Sequence, residues 1–437
     1  MRLQLHHRRK ASVLIIVLWV AFGLVSLALY FANSMSFELR AADNRAAAVQ
    51  AEQAIAGASR YISNVLAATQ TQTQQRGTIP DPTLYDFDAV PVGDATFWVI
   101  GRWDQQQQRS TDVPNFGLVD EASKLNLNMA TREMLEALPR MTTQLAAAII
   151  DWRDADDEVT EGGAESQTYL RLNPPYRCKN GNFESVEELR LVTGAYLDIL
   201  YGEDANLNGV LDPNENDSDV SPPTDNRDMR LDPGILEYVT VYSRQPATGT
   251  NVNRRQDITA LLQQKFDANR ANQIVAALGP TVSGNVLQFY VASGMTREEF
   301  AQIEGDLVGT NTVGLVNVNT ASEAVLACIP GIGTDKAGSL VAYRRSNGGN
   351  LNTVAWVKDV LDENAIRLAA PWLTGRSYQF SADVAAVGHH GRGYARTKFV
   401  FDTTEGGKIL YRQDLTHLGW ALGPEARKTL LLAKELR

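Results

Sequence analysis

The sequence predicts an α+β protein in which a long N-terminal helix packs on a small antiparallel sheet, with a large α-helical domain inserted into that sheet. Three observations lead to this fold class: a long apolar stretch that continues into an alanine-rich segment, strand-like segments on both sides of the middle, and a helical repeat within it. The predicted order is a leader at 1–11, a transmembrane and stalk helix at 12–80, sheet residues at 81–115, an inserted helical domain at 116–370 and the rest of the sheet at 371–437.

Composition limits the function classes. The 437 residues are 44% hydrophobic and 21% charged, which is typical of a folded chain with more than one domain. A net charge of −10 argues against a general binder of polyanions. Two cysteines and five histidines are too few for a disulfide framework, a zinc cluster or rich acid–base chemistry. No hydrolase, metalloprotease or P-loop motif occurs, so the sequence predicts no enzyme. The sequence does not decide whether Cys178 and Cys328 form a disulfide.

The N-terminal apolar run, from Ala11 to Ala32, follows a basic head and contains no charge. At roughly 20 residues it is long enough to cross a bilayer as a helix. It is compatible with a signal peptide, a plain single-pass anchor, or a leader that is cut just before the apolar run. A small-x-small cleavage site does not follow the run cleanly, which disfavours the signal peptide. Basic residues before the run place the bulk of the chain outside the cytoplasm.

The third interpretation depends on the abrupt end of the basic head at Lys10-Ala11-Ser12. This shape resembles a type IV prepilin leader, which a prepilin peptidase would cut between Ala11 and Ser12. Ile16 would then be the fifth residue of the mature chain. Pilin-like proteins carry glycine before the cut and glutamate at the fifth position, where it pairs with the N-terminal amine of a neighbouring subunit inside lipid. A subunit with Ile16 there need not dock beneath another one, which favours a place at a filament tip.

The stalk and sheet follow from periodicity. Small and apolar residues recur at three- and four-residue steps after Ser34 and predict that the helix continues, with a buried stripe at Ala47, Ala51, Ala54, Ala58, Tyr61, Ile62 and Val65. A polar stretch with glycine and proline ends it. Residues 94–103, 377–404 and 408–415 are β-branched or aromatic and predict strands. His389 and His390 are predicted to lie in a solvated hairpin turn and not to form a metal pair.

An internal repeat identifies the inserted domain. Residues 125–153 and 316–344 align without a gap, and each contains an Asn-x-Asn lead-in, a helix, a proline turn and a second helix. The turn at 329–333 resembles a helix-hairpin-helix motif, whose backbone N–H groups bind phosphate. Acidic and basic residues balance in both units, and the first copy lacks the glycines. A packing role is therefore favoured, and DNA binding stays the alternative.

A calcium loop is predicted at 204–215, where DANLNGVLDPNE has the spacing of an EF-hand loop. The predicted ligands are the side chains of Asp204, Asn206, Asn208, Asp212 and Glu215 and the carbonyl of Val210. An entering helix is predicted over Phe183–Gly202, and Pro213 disfavours a second EF-hand helix. Asp217 and Asp219 are additional candidates for a second nearby ion. The predicted role of Ca²⁺ is structural, because binding orders a loop that has little apolar surface to bury.

Taken together, these features resemble the protein K family of type II secretion systems, the large minor pseudopilins. The resemblance rests on the leader with Ile16 and on four further segments, 116–128, 151–158, 162–194 and the VNVNTA hairpin. It implies a pilin-like fold with an inserted domain of two SAM-like units that binds calcium. It also implies a tip position on the periplasmic pseudopilus with minor pseudopilins I and J, supporting export of folded proteins across the outer membrane.

The same resemblance implies contacts with the pseudopilus, the inner-membrane secretion platform and secreted proteins. It places a single-pass anchor in the inner membrane of a Gram-negative-type bacterium, with the bulk of the chain in the periplasm. Nucleic acid is not among the partners it implies. The alternative function is a membrane-anchored, competence-like DNA-binding protein with helix-hairpin-helix units.

Overall fold

The computed structural model describes residues 7–69, 77–82, 85–102, 114–218, 220–279, 284–348, 351–423 and 426, with side chains from residue 13 onward. The helices are α1 (His7–Thr69), α2 (Arg132–Glu136), α3 (Thr143–Arg153), α4 (Ser166–Tyr169), α5 (Leu197–Leu200), α6 (Arg255–Lys265), α7 (Ala268–Ala277), α8 (Val286–Ser293), α9 (Arg297–Ala301), α10 (Glu323–Ala327), α11 (Gly333–Ser346) and α12 (Glu363–Ala369). The strands are β1 (Val90–Val92), β2 (Ala95–Ile100), β3 (Val119–Asp120), β4 (Leu125–Asn126), β5 (Val239–Thr240), β6 (Thr250–Asn251), β7 (Leu307–Val308), β8 (Val316–Asn317), β9 (Leu373–Thr374), β10 (Gln379–Val387), β11 (Ala395–Asp402) and β12 (Lys408–Asp414).

Helix α1 joins the apolar stretch and the stalk without a break. By length and composition it is the one described helix that is able to cross a membrane. It ends at Thr69, earlier than the predicted boundary at residue 80. Gly77 has φ of +69° and Pro80 follows, so residues 77–80 are not helical. The apolar N-terminal half of α1 is exposed in the isolated chain, and only the second half packs on the sheet.

The main sheet is antiparallel in the order β1-β2-β10-β11-β12, and β3 pairs with the first residues of β10. The second half of α1 covers one face of it, as the stripe predicts. Ala47, Ala51, Ala54, Ala58 and Ile62 are buried, whereas Tyr61 is 37% exposed. Because β3 belongs to the sheet, the inserted domain lies between Asp120 and Gln379. The α+β fold class, with a helix packed on a sheet and a helical insert, is confirmed. The core between α1 and the sheet contains Ile55, Leu66, Phe97, Val99, Phe380, Val384, Phe399 and Phe401.

The β10–β11 turn is fastened to α1. A Cβ on Gly388 would lie 2.2 Å from the Ala47 carbonyl oxygen, so only glycine permits this approach. His389 Nε2 lies 2.8 Å from Asp43 Oδ1, and its Nδ1 lies 2.6 Å from Gln50 Oε1. The prediction of a solvated turn is therefore wrong for His389, because the turn folds back on the helix. His390 is exposed, as predicted.

The described part of the inserted domain contains three Asn-x-Asn helical hairpins, of which the sequence predicted two. The third is formed by α6 and α7 and starts at Asn251-Val252-Asn253. Each lead-in strand pairs in parallel with a later strand: β4 with β5, β6 with β7, and β8 with β9. All three hairpins share one continuous hydrophobic core. The third lacks the proline turn and the closing arginine of the other two. The sequence repeat therefore did not reveal it.

The repeated asparagines have a local structural role. The side-chain oxygens of Asn126, Asn251 and Asn317 each accept a hydrogen bond from the backbone N–H two residues later, at 2.8–2.9 Å. This turn ends the strand and directs the chain into the helix. In the first and last hairpins, Arg153 and Arg344 donate from the second helix to carbonyls of the lead-in. The helical hairpins predicted at 125–153 and 316–344 are thus observed.

The segment predicted as an entering helix over Phe183–Gly202 is not one helix. It forms a 3₁₀-helix at Val186–Leu191 and the single turn of α5. Gly194 between them has φ of +87°, a left-handed conformation that interrupts a helix. The prediction was wrong because Gly194 divides the apolar pattern of this segment between two short helical turns.

Candidate calcium loop and assembly elements

The loop at 204–215 closes on its first residue. Asp204 Oδ1 accepts a hydrogen bond from Asn208 N, and Oδ2 accepts one from Gly209 N, each at 3.0 Å. Gly209 has φ of +68°, which explains why glycine stands at the sixth position. The backbone therefore bends around the Asp204 carboxylate as the EF-hand spacing predicts.

The remaining predicted ligands join the same network. Asp212 Oδ2 accepts from Asn206 Nδ2 at 2.7 Å and from Asn208 Nδ2 at 3.0 Å. The carboxylate of Glu215 accepts from Ala205 N and Asp212 N, both at 3.0 Å. The structure thus brings the five predicted side chains together. Val210, whose carbonyl is the sixth predicted ligand, is buried beside them.

The electrostatics of the loop favour a cation. Asp204 is 6% exposed and Glu215 is fully buried. Burial, opposed by the hydrogen bonds from Gly209 and Asn208, raises the pKa of Asp204 to about 7. Burial and then repulsion from Asp204 raise the pKa of Glu215 to about 8. A donor set of carboxylate, amide and carbonyl oxygens fits Ca²⁺, a hard cation with six to eight oxygen ligands. The residues present therefore fit the predicted ion.

Of the two additional candidates, Asp217 and Asp219, Asp217 has no described hydrogen bond to this network. Asp217 accepts hydrogen bonds from Ser221, at 2.6 Å from the hydroxyl and 3.2 Å from the backbone N–H. Asp219 lies outside the described residues. A second ion at this loop stays a prediction.

Arg396 of β11 fastens the loop to the sheet. Its side chain is fully buried and forms an ion pair of 2.6 Å with Asp383 of β10. The same guanidinium donates to the carbonyl oxygens of Asn206, at 2.5 Å, and Leu207, at 2.8 Å. Sequence reasoning missed Arg396 because no local pattern links a strand arginine to a loop far away along the chain.

The helix-hairpin-helix turn lies between α10 and α11, and one side of it packs against α12. Gly331 has φ of +83°, and a Cβ there would lie 2.8 Å from Leu368 Cβ of α12. Lys336 at the start of α11 pairs with Asp362 at 2.9 Å. The side of the turn at Gly331 therefore faces α12, and the positive charge beside it is already neutralised.

The assembly and processing positions lie on α1. Ile16 is 62% exposed in the isolated chain. Ala11 and Ser12 are helical in their backbone, and their side chains lie outside the described part of the chain. Leader residues 1–6 also lie outside it.

Cys178 and Cys328 are free and buried, so they do not form the disulfide that the sequence left open. Their thiols donate instead to the carbonyls of Asp151, at 3.6 Å, and Ala324, at 3.1 Å. Burial raises the pKa of each thiol to about 12.

Comparison with known families finds matches in two parts of the insert. Residues 117–200, which cover the first hairpin and the segment up to the calcium loop, match the first domain of "Type II secretion system (T2SS), protein K". The resemblance to the protein K family is confirmed. Within this protein K domain lie α2 to α5, and the loop at 204–215 follows it directly. Residues 311–374, which contain the α10–α11 hairpin, match the helix-hairpin-helix motif family.

Individual relatives agree over short segments. Type II secretion system protein K of Klebsiella pneumoniae is 39% identical over 62 residues, covering 14% of this chain and 19% of that protein. Protein K of Pectobacterium carotovorum subsp. carotovorum is 39% identical over 56 residues, covering 13% and 17%. The chain thus matches less than a fifth of the length of these relatives. The GspK-GspI-GspJ complex from enterotoxigenic Escherichia coli contains a chain with 14% identity and a TM-score of 0.40, over 84% of this chain and 95% of that one.

Proposed function

We propose that this protein is a minor pseudopilin that caps the tip of the periplasmic pseudopilus of a type II secretion system. The observation that carries the proposal is a protein K domain inserted into a sheet that packs on a long N-terminal helix. This helix-on-sheet arrangement suits a filament subunit. The role is one of assembly and not of catalysis, in support of export of folded proteins across the outer membrane.

The exposed half of α1 supports a dual role for that helix. Large apolar side chains such as Leu14, Trp19 and Phe22 are 64–76% exposed in the isolated chain. Such a surface needs lipid or neighbouring helices to cover it. We place it in the inner membrane before assembly, with the bulk of the chain in the periplasm, and in the filament core afterwards.

The tip position follows from two features. Ile16 supplies no carboxylate for the N-terminal amine of another subunit, so no electrostatic contact holds this chain beneath a neighbour. The insert between Asp120 and Gln379 adds bulk that would obstruct a subunit stacked above. Minor pseudopilins I and J are the proposed neighbours, and the inner-membrane platform and secreted proteins are the proposed further contacts.

Calcium in this proposal is structural. Asp204, Asp212 and Glu215 supply the negative charge, and the oxygens of Asn206, Asn208 and Val210 complete the donor set. The bound ion would neutralise carboxylates that repel one another in a buried loop. Because Arg396 joins the loop to β11, ordering of the loop also fixes the insert on the sheet.

Co-purification tests the assembly role. The full-length chain, tagged at its C-terminus, is solubilised from membranes of cells with a working secretion system, and the recovered partners are identified by mass spectrometry. We expect two other pilin-like proteins in a stoichiometric complex, because a tip cap needs neighbours below it. Cells that lack the secretion genes are the control. Recovery of no pilin-like partner, together with binding of duplex DNA at physiological salt, would favour the helix-hairpin-helix alternative.

That alternative is supported by the family match at residues 311–374. Against it, α12 covers Gly331 and Asp362 neutralises Lys336. A phosphate would therefore find one side of the turn occupied by α12 and the lysine beside it already paired.

Processing of the N-terminus is a separate prediction. We expect the mature chain to begin at Ser12, because the basic head ends one residue before it and the helix must remain on the protein. Intact-mass measurement of the purified protein checks this. Ala11→Gly is expected to leave the cut unchanged or more complete, and a bulky Ala11→Phe to retain the leader. A chain that still begins at Met1, or one cut after Ala32, would contradict the prediction.

A further inference from the structure

A patch of exposed apolar side chains lies on two segments that follow the first hairpin, residues 170–177 and 190–198. Its large side chains are 44–69% exposed: Leu170, Leu172, Leu191, Tyr196 and Leu197. Single apolar residues are ordinary on a protein surface, whereas a contiguous apolar patch of a few hundred Å² marks an interaction site. The arrangement of the two segments therefore decides what the patch means.

Two tyrosine hydroxyls hold the segments side by side. Tyr176 Oη donates a hydrogen bond to the carbonyl oxygen of Leu191 at 2.7 Å. Tyr169 Oη accepts one from the backbone N–H of Thr193 at 3.3 Å. The two tyrosine rings stack with their centroids 5.4 Å apart, and Tyr169 is fully buried. Because Leu170 follows Tyr169 directly, the exposed leucines of both segments belong to one patch.

The second segment is anchored in the core on both sides of its exposed residues. Val192 is 4% exposed and Leu200 is fully buried, and both belong to the core of the inserted domain. Leu191, Tyr196 and Leu197 are exposed between and beside these anchors. A preformed surface of this kind loses little conformational entropy when a partner binds.

Arginines accompany the apolar side chains. The charged residues of the two segments are Arg171, Arg177, Arg190 and Asp198, and all four are exposed. Within the described part of the chain, no carboxylate forms an ion pair with the three arginines, although nearby Lys179 and Arg140 are paired. The guanidinium carbon of Arg190 lies 5.5 Å from the centre of the Tyr201 ring. The patch is therefore locally basic in a protein whose net charge is −10.

This chemistry favours a protein partner over the other possible occupants. Arginine and tyrosine are enriched in protein interfaces and lysine is depleted, and the two segments contain no lysine. A second copy of the chain, related by a twofold axis, would bring the same arginines face to face. An anionic lipid surface would repel a chain with a net charge of −10. A partner with apolar and acidic side chains matches both features of the patch.

We propose that residues 170–177 and 190–198 form a docking surface for a segment of a partner protein that carries apolar side chains next to Asp or Glu. The leucines and Tyr196 contact the apolar side chains of the partner, and the arginines pair with its carboxylates. A guanidinium is suited to this because it binds a carboxylate through two parallel hydrogen bonds. The inference does not depend on the position of the chain in a filament.

Site-specific photo-crosslinking of the full-length chain tests the proposal in cells with a working secretion system. Tyr196 is replaced by the photoreactive amino acid p-benzoylphenylalanine, and the crosslinked peptides are sequenced by mass spectrometry. The same replacement of Leu368, an exposed residue of α12, is the control. We expect position 196, and not position 368, to crosslink to a segment of another protein in which Asp or Glu accompanies leucine or aromatic residues.

Charge variants test the arginines in the same experiment. Arg171→Glu combined with Arg190→Glu is expected to lower the crosslink yield at position 196 about tenfold, because attraction becomes repulsion at both sites. Arg171→Lys combined with Arg190→Lys keeps the charge and should retain most of the yield. Arg367→Glu on α12 is the matched control and should leave the yield unchanged. Since all of these side chains are exposed, the melting temperatures should equal that of the parent chain.

Four results would overturn the proposal. A crosslink to phospholipid alone, or one between two copies of this chain, would rule out a partner protein as the occupant. A yield at position 196 no higher than at position 368 would show that the patch is not a docking surface. A crosslink to another protein that is unchanged by the reversal of both arginines would rule out an acidic partner segment.

Discussion

Chelation of calcium is expected to lower the melting temperature of the full-length protein by about 5–10 °C. An ion present at roughly 1,000 times its dissociation constant stabilises the folded state by about 4 kcal/mol, which corresponds to a shift of this size. The physical reason is that Asp204 and Glu215 are buried and close together, with pKa values raised to about 7 and about 8 by burial. Differential scanning calorimetry in calcium and in chelator measures the shift.

Matched variants make this result specific to the loop. Asp204→Asn should abolish the calcium dependence that the loop contributes, because it removes the ligand around which the backbone closes. Asp228→Asn is the control, since Asp228 is exposed and lies outside the predicted donor set. Equal melting temperatures in calcium and in chelator, with no effect of Asp204→Asn, would show that the loop is a solvated acidic turn that binds no ion.

The pH dependence of the same shift has a definite sign. Without the ion, the folded protein holds protons on Asp204 and Glu215 that the unfolded chain has already lost. The stability that these protons contribute is therefore present below the ordinary carboxyl pKa and is lost as the pH rises towards about 8. Calcium needs the deprotonated carboxylates. The difference in melting temperature between calcium and chelator should thus be larger at pH 8 than at pH 6.

Replacement of Arg396 is expected to destabilise the protein by about 3–5 kcal/mol, the cost of removing one partner from a buried ion pair. In Arg396→Met the Asp383 carboxylate loses its counter-ion, and the carbonyls of Asn206 and Leu207 lose their donor. Arg396→Lys keeps the positive charge but lacks the planar guanidinium that makes all of these contacts. We therefore expect a smaller loss of free energy of unfolding than in Arg396→Met. Urea denaturation measures the change in the free energy of unfolding.

An arginine on the neighbouring strand provides the control. Arg412 of β12 is exposed, and Arg412→Met should change the free energy of unfolding by less than about 1 kcal/mol. Hydrogen exchange should rise in the 204–215 loop of Arg396→Met and stay unchanged in Arg412→Met. If Arg396→Met and Arg412→Met had the same free energy of unfolding and the same hydrogen exchange in the loop, Arg396 would not link the loop to the sheet.

Several features were predictable because their causes are local in the chain. The apolar stretch and the stripe at Ala47, Ala51 and Ala54 indicate one long helix, since helical periodicity is visible within a few turns. The Asn-x-Asn lead-ins at 126 and 317 form hydrogen bonds to residues two positions later. The loop at 204–215 closes through its own side chains. Sequence reasoning therefore found these elements.

Other features escaped because their causes are distant or depend on packing. The third hairpin lacks the proline and the arginine that made the other two similar, so only its shared core reveals it. The helix predicted over Phe183–Gly202 is split at Gly194, where the backbone is left-handed and lies against Leu145 of α3. His389 was assigned to solvent because nothing local indicates its contact with Asp43 of α1.

The sequence by itself therefore determined the membrane-length helix, the helix-on-sheet class, two of the hairpins and the spacing of the calcium loop. Hydrogen bonds and apolar periodicity within one segment specify all of these. Only the tertiary structure decided that Arg396 holds the loop to the sheet, across 190 positions of sequence. It also decided that α12 packs against Gly331. Such contacts form only when the shared core has brought separate segments together.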